Sequence, residues 1–145
     1  MIKSVLFVCT GNTCRSPMAE RILKQRLHEK NINNIKVSSA GLYATPGQPM
    51  NEYAIKILKQ HKIRTYAHKS KQLTTSIING HNLVITMTEG HKNALLGYKN
   101  VVTLAEYIKG IDVADPYGQN IEAYKKVCEY LLYAMDEIIE KIIKD

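Results

Sequence analysis

An apolar run that passes directly into a short polar loop and then into a helical pattern fixes how this chain begins. Val5, Leu6, Phe7 and Val8 are continuously apolar, as expected of a strand covered on both faces. From Pro17 the spacing is helical: Met18, Ala19, Ile22, Leu23 and Leu27 are apolar, and Glu20, Lys24 and Gln25 are expected to face out. Ser16 reads as the N-cap, with Pro17 in a first turn where its missing N–H costs no hydrogen bond. Between strand and helix stands Cys9-Thr10-Gly11-Asn12-Thr13-Cys14-Arg15-Ser16, a thiol and a guanidinium six positions apart.

Gly11 and Asn12 tolerate left-handed backbone angles, so the intervening N–H groups can turn inward as a nest for an anion. The helix N-terminus brings its positive dipole end to the same spot, and Arg15 offers a planar fork that fits two phosphate oxygens. Positive surroundings favour a thiolate, which would make Cys9 a nucleophile below a bound phosphoryl group. The inward N–H groups and Arg15 would then stabilise the equatorial oxygens of the transition state. A Rossmann-like turn with a merely packed cysteine is the plainer alternative. The agreement of loop, strand and helix favours the reactive reading.

Further along, residues 35–39 read as a second strand ended by Ala40 and Gly41, and residues 42–49 as an irregular loop holding Tyr43. Residues 51–61 look helical, with Ala54, Ile55, Ile57 and Leu58 on the buried side, and a short helix is expected over 72–79, stopped by Gly80. Residues 83–87 form another continuous apolar strand, and Thr88 is placed to cap a short helix reaching Leu96. Residues 101–104 are the fourth strand candidate, and 112–119 a loop. A final helix opens at Ile121, with Tyr124, Cys128, Leu131, Met135, Ile138 and Ile142 at helical spacing. Its regularity is compatible with a coiled coil, but its length suits packing across one sheet face. Strands alternating with helices predict an α/β fold: a single-domain three-layer sandwich over residues 1–145, with a parallel sheet and helices on both faces. Ligands in such sheets sit beyond the carboxyl ends of the strands, where the Cys9 loop lies.

Composition narrows the function classes. The net charge of +7 comes from 20 basic against 13 acidic residues, scattered along helices without a basic run or interleaved aromatics. That pattern predicts a solvated lysine-rich surface and no nucleic-acid partner, and it favours acidic, phosphorylated substrates. No stretch reads as a signal peptide or membrane span. Three cysteines, two of them in one loop, make no disulfide framework and point to a reducing cytoplasm. His28, His61, His81 and His91 lack metal-ligand spacing and are read as ordinary surface or packing residues, so neither metal nor cofactor is expected.

The run C-T-G-N-T-C-R-S followed by P-M-A-E resembles the phosphate loop of the low-molecular-weight protein tyrosine phosphatases, a family that includes bacterial protein-arginine phosphatases. Asp115-Pro116-Tyr117 resembles the family's second mark, so the likeness spans essentially the whole chain. The resemblance implies a four-stranded parallel sheet of order 2-1-3-4 and a phosphocysteine intermediate on Cys9. It makes Arg15 the transition-state ligand and Asp115 the general acid and then base, a role that an Asp-Pro turn signal alone would not assign. It also implies that Thr10, Gly11, Asn12, Thr13, Cys14 and Ser16 enclose the phosphoryl group, with Tyr43 and Tyr117 as walls. Asn12, Ser16, Ser39 and His68 match the network that holds the family's loop, though Ser39 and His68 also read as plain polar surface. Cys14, as in the family, would trap an oxidised Cys9 as a reversible disulfide.

Two departures bear on specificity. Animal members carry a second aromatic where Gly118 stands here, and members acting on phosphotyrosine usually carry a bulky aliphatic residue where this chain has Thr13. Members acting on phosphoarginine resemble this chain in having threonine. The expectation is therefore a monomeric phosphatase of protein phosphoarginine, with phosphotyrosine as the alternative substrate. An arsenate reductase is disfavoured because Cys128 falls on a core face. A non-catalytic phosphoprotein-binding module is disfavoured because Cys9 and Asp115 are both present.

Overall fold

The computed structural model describes residues 1–144; Asp145, the last residue of the expected domain, lies outside the described residues. Four strands, β1 (Ser4–Cys9), β2 (Lys36–Gly41), β3 (Leu83–Thr86) and β4 (Val101–Thr103), form one sheet in the order β2-β1-β3-β4, and every pairing is parallel. This is the order the resemblance implied. The helices are α1 (Arg15–Glu29), α2 (Glu52–Gln60), α3 (Thr75–Asn79), α4 (Glu89–Asn93), α5 (Leu104–Ile108) and α6 (Ile121–Ile142).

The apolar run of β1 is continuous because each face of the sheet has its own cover. Val5 and Phe7 join Cys9 in a large core with Met18, Ile22 and Leu23 of α1, Leu58 of α2, and Leu131 and Met135 of α6. Leu6 and Val8 point the other way, onto a smaller core with Val84, Ile78 and Leu95. Fully burying side chains of this size stabilises by roughly 1.5–3 kcal/mol each. The 22-residue α6 buries Tyr124, Cys128, Leu131, Met135, Ile138 and Ile142 against this sheet face, with α1 and α2 as neighbours, as the spacing required.

Several local expectations are corrected. Helix α1 begins at Arg15, with Cys14 at the cap position and no side-chain cap; Ser16 lies inside the first turn because its hydroxyl is turned to the Cys9 sulfur. Glu20 does not face out: it is buried and accepts hydrogen bonds from Lys24 Nζ and Ser39 Oγ, each at 2.6 Å. Helix α3 starts at Thr75, capped by Thr74, because Gln72 instead bridges Gly41 at the sheet edge. Helix α4 ends at Asn93, short of Leu96, and Gly97 takes a left-handed angle. Helix α5 was unforeseen, although its Thr103-x-x-Glu106 capping box is written in the sequence.

Candidate active site

The carboxyl end of β1 delivers Cys9 to a cleft of about 560 Å³ lined by Cys9, Thr10, Gly11, Thr13, Cys14 and Arg15 on one side. Tyr43, Thr45, Gln48, Asp115 and Tyr117 complete it. The size suits a small ligand or one projecting side chain.

Asn12 alone carries the left-handed backbone angle of the loop (φ 59°); Gly11 does not, contrary to expectation. The glycine that the loop requires is Gly41, paired with Cys9 across the sheet. A Cβ there would stand 2.6 Å from the Thr10 carbonyl oxygen and 3.0 Å from the Asn12 nitrogen. The loop therefore lies directly on the end of β2, where Leu42 N–H donates to the Cys9 carbonyl and Tyr43 N–H to that of Thr10, both at 2.9 Å.

Asn12 organises the interior. Its amide donates to Ser16 Oγ at 2.8 Å and to Ser39 Oγ at 2.9 Å, and its Oδ1 accepts from Lys71 N–H at 3.0 Å. Because Ser16 Oγ accepts from Asn12, its own proton is free for the Cys9 sulfur 2.9 Å away. Ser39 Oγ in turn donates to Glu20 Oε1 at 2.6 Å. Burial alone would raise the Glu20 carboxyl, but the hydrogen bonds from Lys24 and Ser39 and the charges of Lys24 and Arg21 hold it below its ordinary value. His68 Nε2–H donates to the Asn12 carbonyl at 2.7 Å, and burial pushes its imidazole pKa down. Arg21 fixes the segment before His68, donating to the carbonyls of Tyr66 and Ala67 while lying 3.5 Å from the centre of the Tyr66 ring. The structure thus brings Asn12, Ser16, Ser39 and His68 together behind the loop.

Arg15 is buried and donates through Nη1 to the Val113 carbonyl at 3.0 Å, while Nη2 lies 3.7 Å from Asp115 Oδ2. The Asp115 side chain is 57% exposed, and its Oδ1 accepts from Tyr117 N–H at 3.1 Å, an aspartate-initiated turn. Gln119 Nε2–H donates to the Asp115 carbonyl at 2.7 Å. Tyr43 and Tyr117 both line the cleft, 78% and 72% exposed. An anion seated above Cys9 would meet the loop, the helix N-terminus and Arg15, with a carboxyl group at the open side. That is the equipment for a two-step displacement at phosphorus.

Cys14 is buried beside the loop, its thiol 3.5 Å from Tyr124 Oη and 3.8 Å from Thr13 Oγ1. Burial raises its pKa. Cys128 is fully buried in α6, and burial pushes its thiol up to about 12.

The sequence reading missed Thr45 and Gln48 in the cleft, Gly41 beneath the loop, and His91. Read as an ordinary residue, His91 is buried, with Nε2 2.9 Å from Thr10 Oγ1 and Nδ1 3.0 Å from Thr88 Oγ1. The strand–turn–helix pattern at 83–93 places a loop at the same sheet end as Cys9, and that was the available signal.

The family model described as low molecular weight phosphotyrosine protein phosphatase matches residues 4–145. The protein-arginine-phosphatase of Geobacillus stearothermophilus is 37% identical over 145 residues, covering 95% of each chain. The low molecular weight protein-tyrosine-phosphatase PtpB of Staphylococcus haemolyticus is 35% identical over 139 residues, covering 92% of this chain and 96% of its own. A solved mutant of the YwlE arginine phosphatase with a phosphorylated active-site serine superposes with a TM-score of 0.92 at 35% identity, covering 98% of this chain and 97% of that one. The chain belongs to the low molecular weight phosphotyrosine protein phosphatase family and is a hydrolase acting on phosphorylated proteins.

Proposed function

We propose that this phosphatase removes the phosphoryl group from phosphoarginine side chains of proteins in a reducing cytoplasm, without metal or cofactor, through a phosphocysteine on Cys9. The Cys9 thiolate attacks phosphorus in line, and the P–N bond breaks as Asp115 protonates the departing guanidine nitrogen. Arg15 and the loop N–H groups hold the equatorial oxygens. Asp115, now a carboxylate, takes a proton from water, whose oxygen attacks the phosphocysteine. The S–P bond breaks, inorganic phosphate leaves, and the Ser16 hydroxyl stabilises the returning thiolate. The observation carrying this cycle is the Cys9 sulfur at 2.9 Å from a Ser16 hydroxyl whose acceptor side is taken by Asn12. All three cysteines are free, which suits a reducing compartment.

Thr13 carries the substrate choice. It lines the cleft, where a branched hydrocarbon would pack against a phenyl ring. Its hydroxyl instead offers an acceptor to guanidinium N–H groups, each of which costs on the order of 1–3 kcal/mol if buried unpaired. Gly118 leaves the wall after Tyr117 without a second ring. The identity to a protein-arginine-phosphatase supports the same choice. Tyr43 and Tyr117, two exposed aromatic residues lining the cleft, favour phosphotyrosine as the second reading. Comparing kcat/KM on matched phosphoarginine and phosphotyrosine peptides tests the choice. Wild type is expected to prefer phosphoarginine, and Thr13→Ile to move the ratio toward phosphotyrosine about tenfold, or ~1.4 kcal/mol. Preference for phosphotyrosine, or an unmoved ratio, overturns the arginine reading and leaves the tyrosine one.

A further inference from the structure

We propose that His91 is a positioning residue that turns the Thr10 hydroxyl proton into the cleft, so that Thr10 adds a side-chain hydrogen bond to the bound phosphoryl group. The inference rests on the phosphatase reading of the cleft. It starts from Thr88, which caps α4: its Oγ1 accepts the His91 backbone N–H at 3.2 Å. For the Thr88 hydroxyl proton the acceptor at hand is His91 Nδ1, 3.0 Å away. If Nδ1 accepts, the neutral imidazole carries its proton on Nε2. That N–H then donates to Thr10 Oγ1 at 2.9 Å. With its oxygen engaged as acceptor from behind, Thr10 has one proton left, and its exposed side chain lines the cleft next to Cys9 and Arg15.

The opposite polarity would aim oxygen lone pairs at an anion, in a cleft otherwise furnished with donors. Neutrality of the imidazole is part of the device, because a second proton on the ring would leave Nδ1 without a lone pair for Thr88. Burial, reinforced by the Arg15 charge, holds the His91 pKa down to about 4, against the weaker opposing pull of Asp115 and Asp112. The ring therefore stays neutral through the ordinary working range. Thr10 lies next to the nucleophile, so the bond it would make reaches an oxygen of the phosphoryl group itself rather than the rest of the substrate.

Two measurements test this. A long-range proton–nitrogen NMR spectrum of the wild-type enzyme at pH 7 reads the tautomer directly: protonated Nε2 on His91 is expected, and protonated Nδ1 overturns the proposal. Competitive inhibition of aryl-phosphate hydrolysis by inorganic phosphate then reads the hydroxyl. Thr10→Val is expected to weaken phosphate about fivefold to tenfold, and Thr10→Ser to restore it. His91→Phe is expected to weaken phosphate by a similar factor, with the double variant no weaker than either single one. Unchanged phosphate inhibition in Thr10→Val, or single effects that multiply in the double variant, overturns the proposal. A wild-type enzyme that hydrolyses no aryl phosphate would instead sink the phosphatase reading beneath it.

Discussion

On one side of the cleft, Asn12 engages every polar atom of its side chain with Ser16, Ser39 and Lys71, and the Ser39 hydroxyl ends on the buried Glu20. On the other, Asp115 stands 57% exposed on a turn closed by the Tyr117 and Gln119 contacts, in a cleft lined also by Tyr43 and Tyr117, which are mostly in solvent. The contrast matches the two tasks of the proposed cycle. Stabilising charge as it moves onto phosphoryl oxygens requires donors fixed before the reaction, because any reorganisation at that moment is added to the barrier. Passing a proton to a leaving group, and then taking one from water, requires a carboxyl group that solvent can reach. In the proposed cycle, buried order serves the anion, and exposure serves the proton and the choice of substrate.

The largest effect should come from the ordered side. Cys9→Ser is expected to lower turnover by at least about a thousandfold, ~4 kcal/mol of barrier, while inorganic phosphate still binds. Turnover within tenfold of wild type would remove Cys9 from the nucleophile's place, and loss of phosphate binding would mean that the sulfur also builds the cradle. On the exposed side, Asp115→Asn is expected to slow phosphoenzyme formation by about 10²–10⁴ for poor leaving groups and far less for nitrophenolate. Burst kinetics across a series of aryl phosphates measures this, and equal slowing throughout would take the acid's role from Asp115.

The smallest effect concerns pH, and it separates the two sides through stability. His91 titrates at about 4 when folded and near 6.5 when unfolded. Between those values the unfolded chain binds more protons, so His91's contribution is complete above pH ~6.5 and is lost as pH falls toward ~4. Glu20, held below its ordinary value, adds a loss only at lower pH. Thermal melts from pH 7.5 to 5 are expected to show a smaller fall for His91→Gln than for wild type, by a few degrees, since about 1 kcal/mol corresponds to roughly 2–8 °C. Parallel curves would show that the buried side does not set this slope. His68, also pushed down by burial, remains in both proteins and supplies the slope that stays.

The architecture was legible because its signals are local: the two-faced apolar run of β1, the spacing of α6, and the cap at Thr88. The Cys9–Ser16 loop was legible for the same reason, being one continuous segment between β1 and α1. What escaped depends on partners far along the chain. Glu20 reads as surface because charge usually faces water, and only Ser39 and Lys24 make its burial tolerable. Gly41 reads as a strand end, and its need for a missing side chain appears only when the Thr10 carbonyl lies against it. His91 on a five-residue helix carries no pattern at all; its meaning comes from Thr10, 81 positions earlier.

The Arg15 bond to the Val113 carbonyl joins parts of the chain 98 positions apart, which has a consequence for how the enzyme comes into being. A ribosome extends a chain by about 5–20 residues per second. Cys9 therefore emerges many seconds before Val113 and Asp115, and for that interval its thiol has neither the anchored guanidinium nor the carboxyl group beside it. The proposed site is therefore assembled in one step, once residues 113–115 have emerged, because the segment that carries Asp115 also locks Arg15.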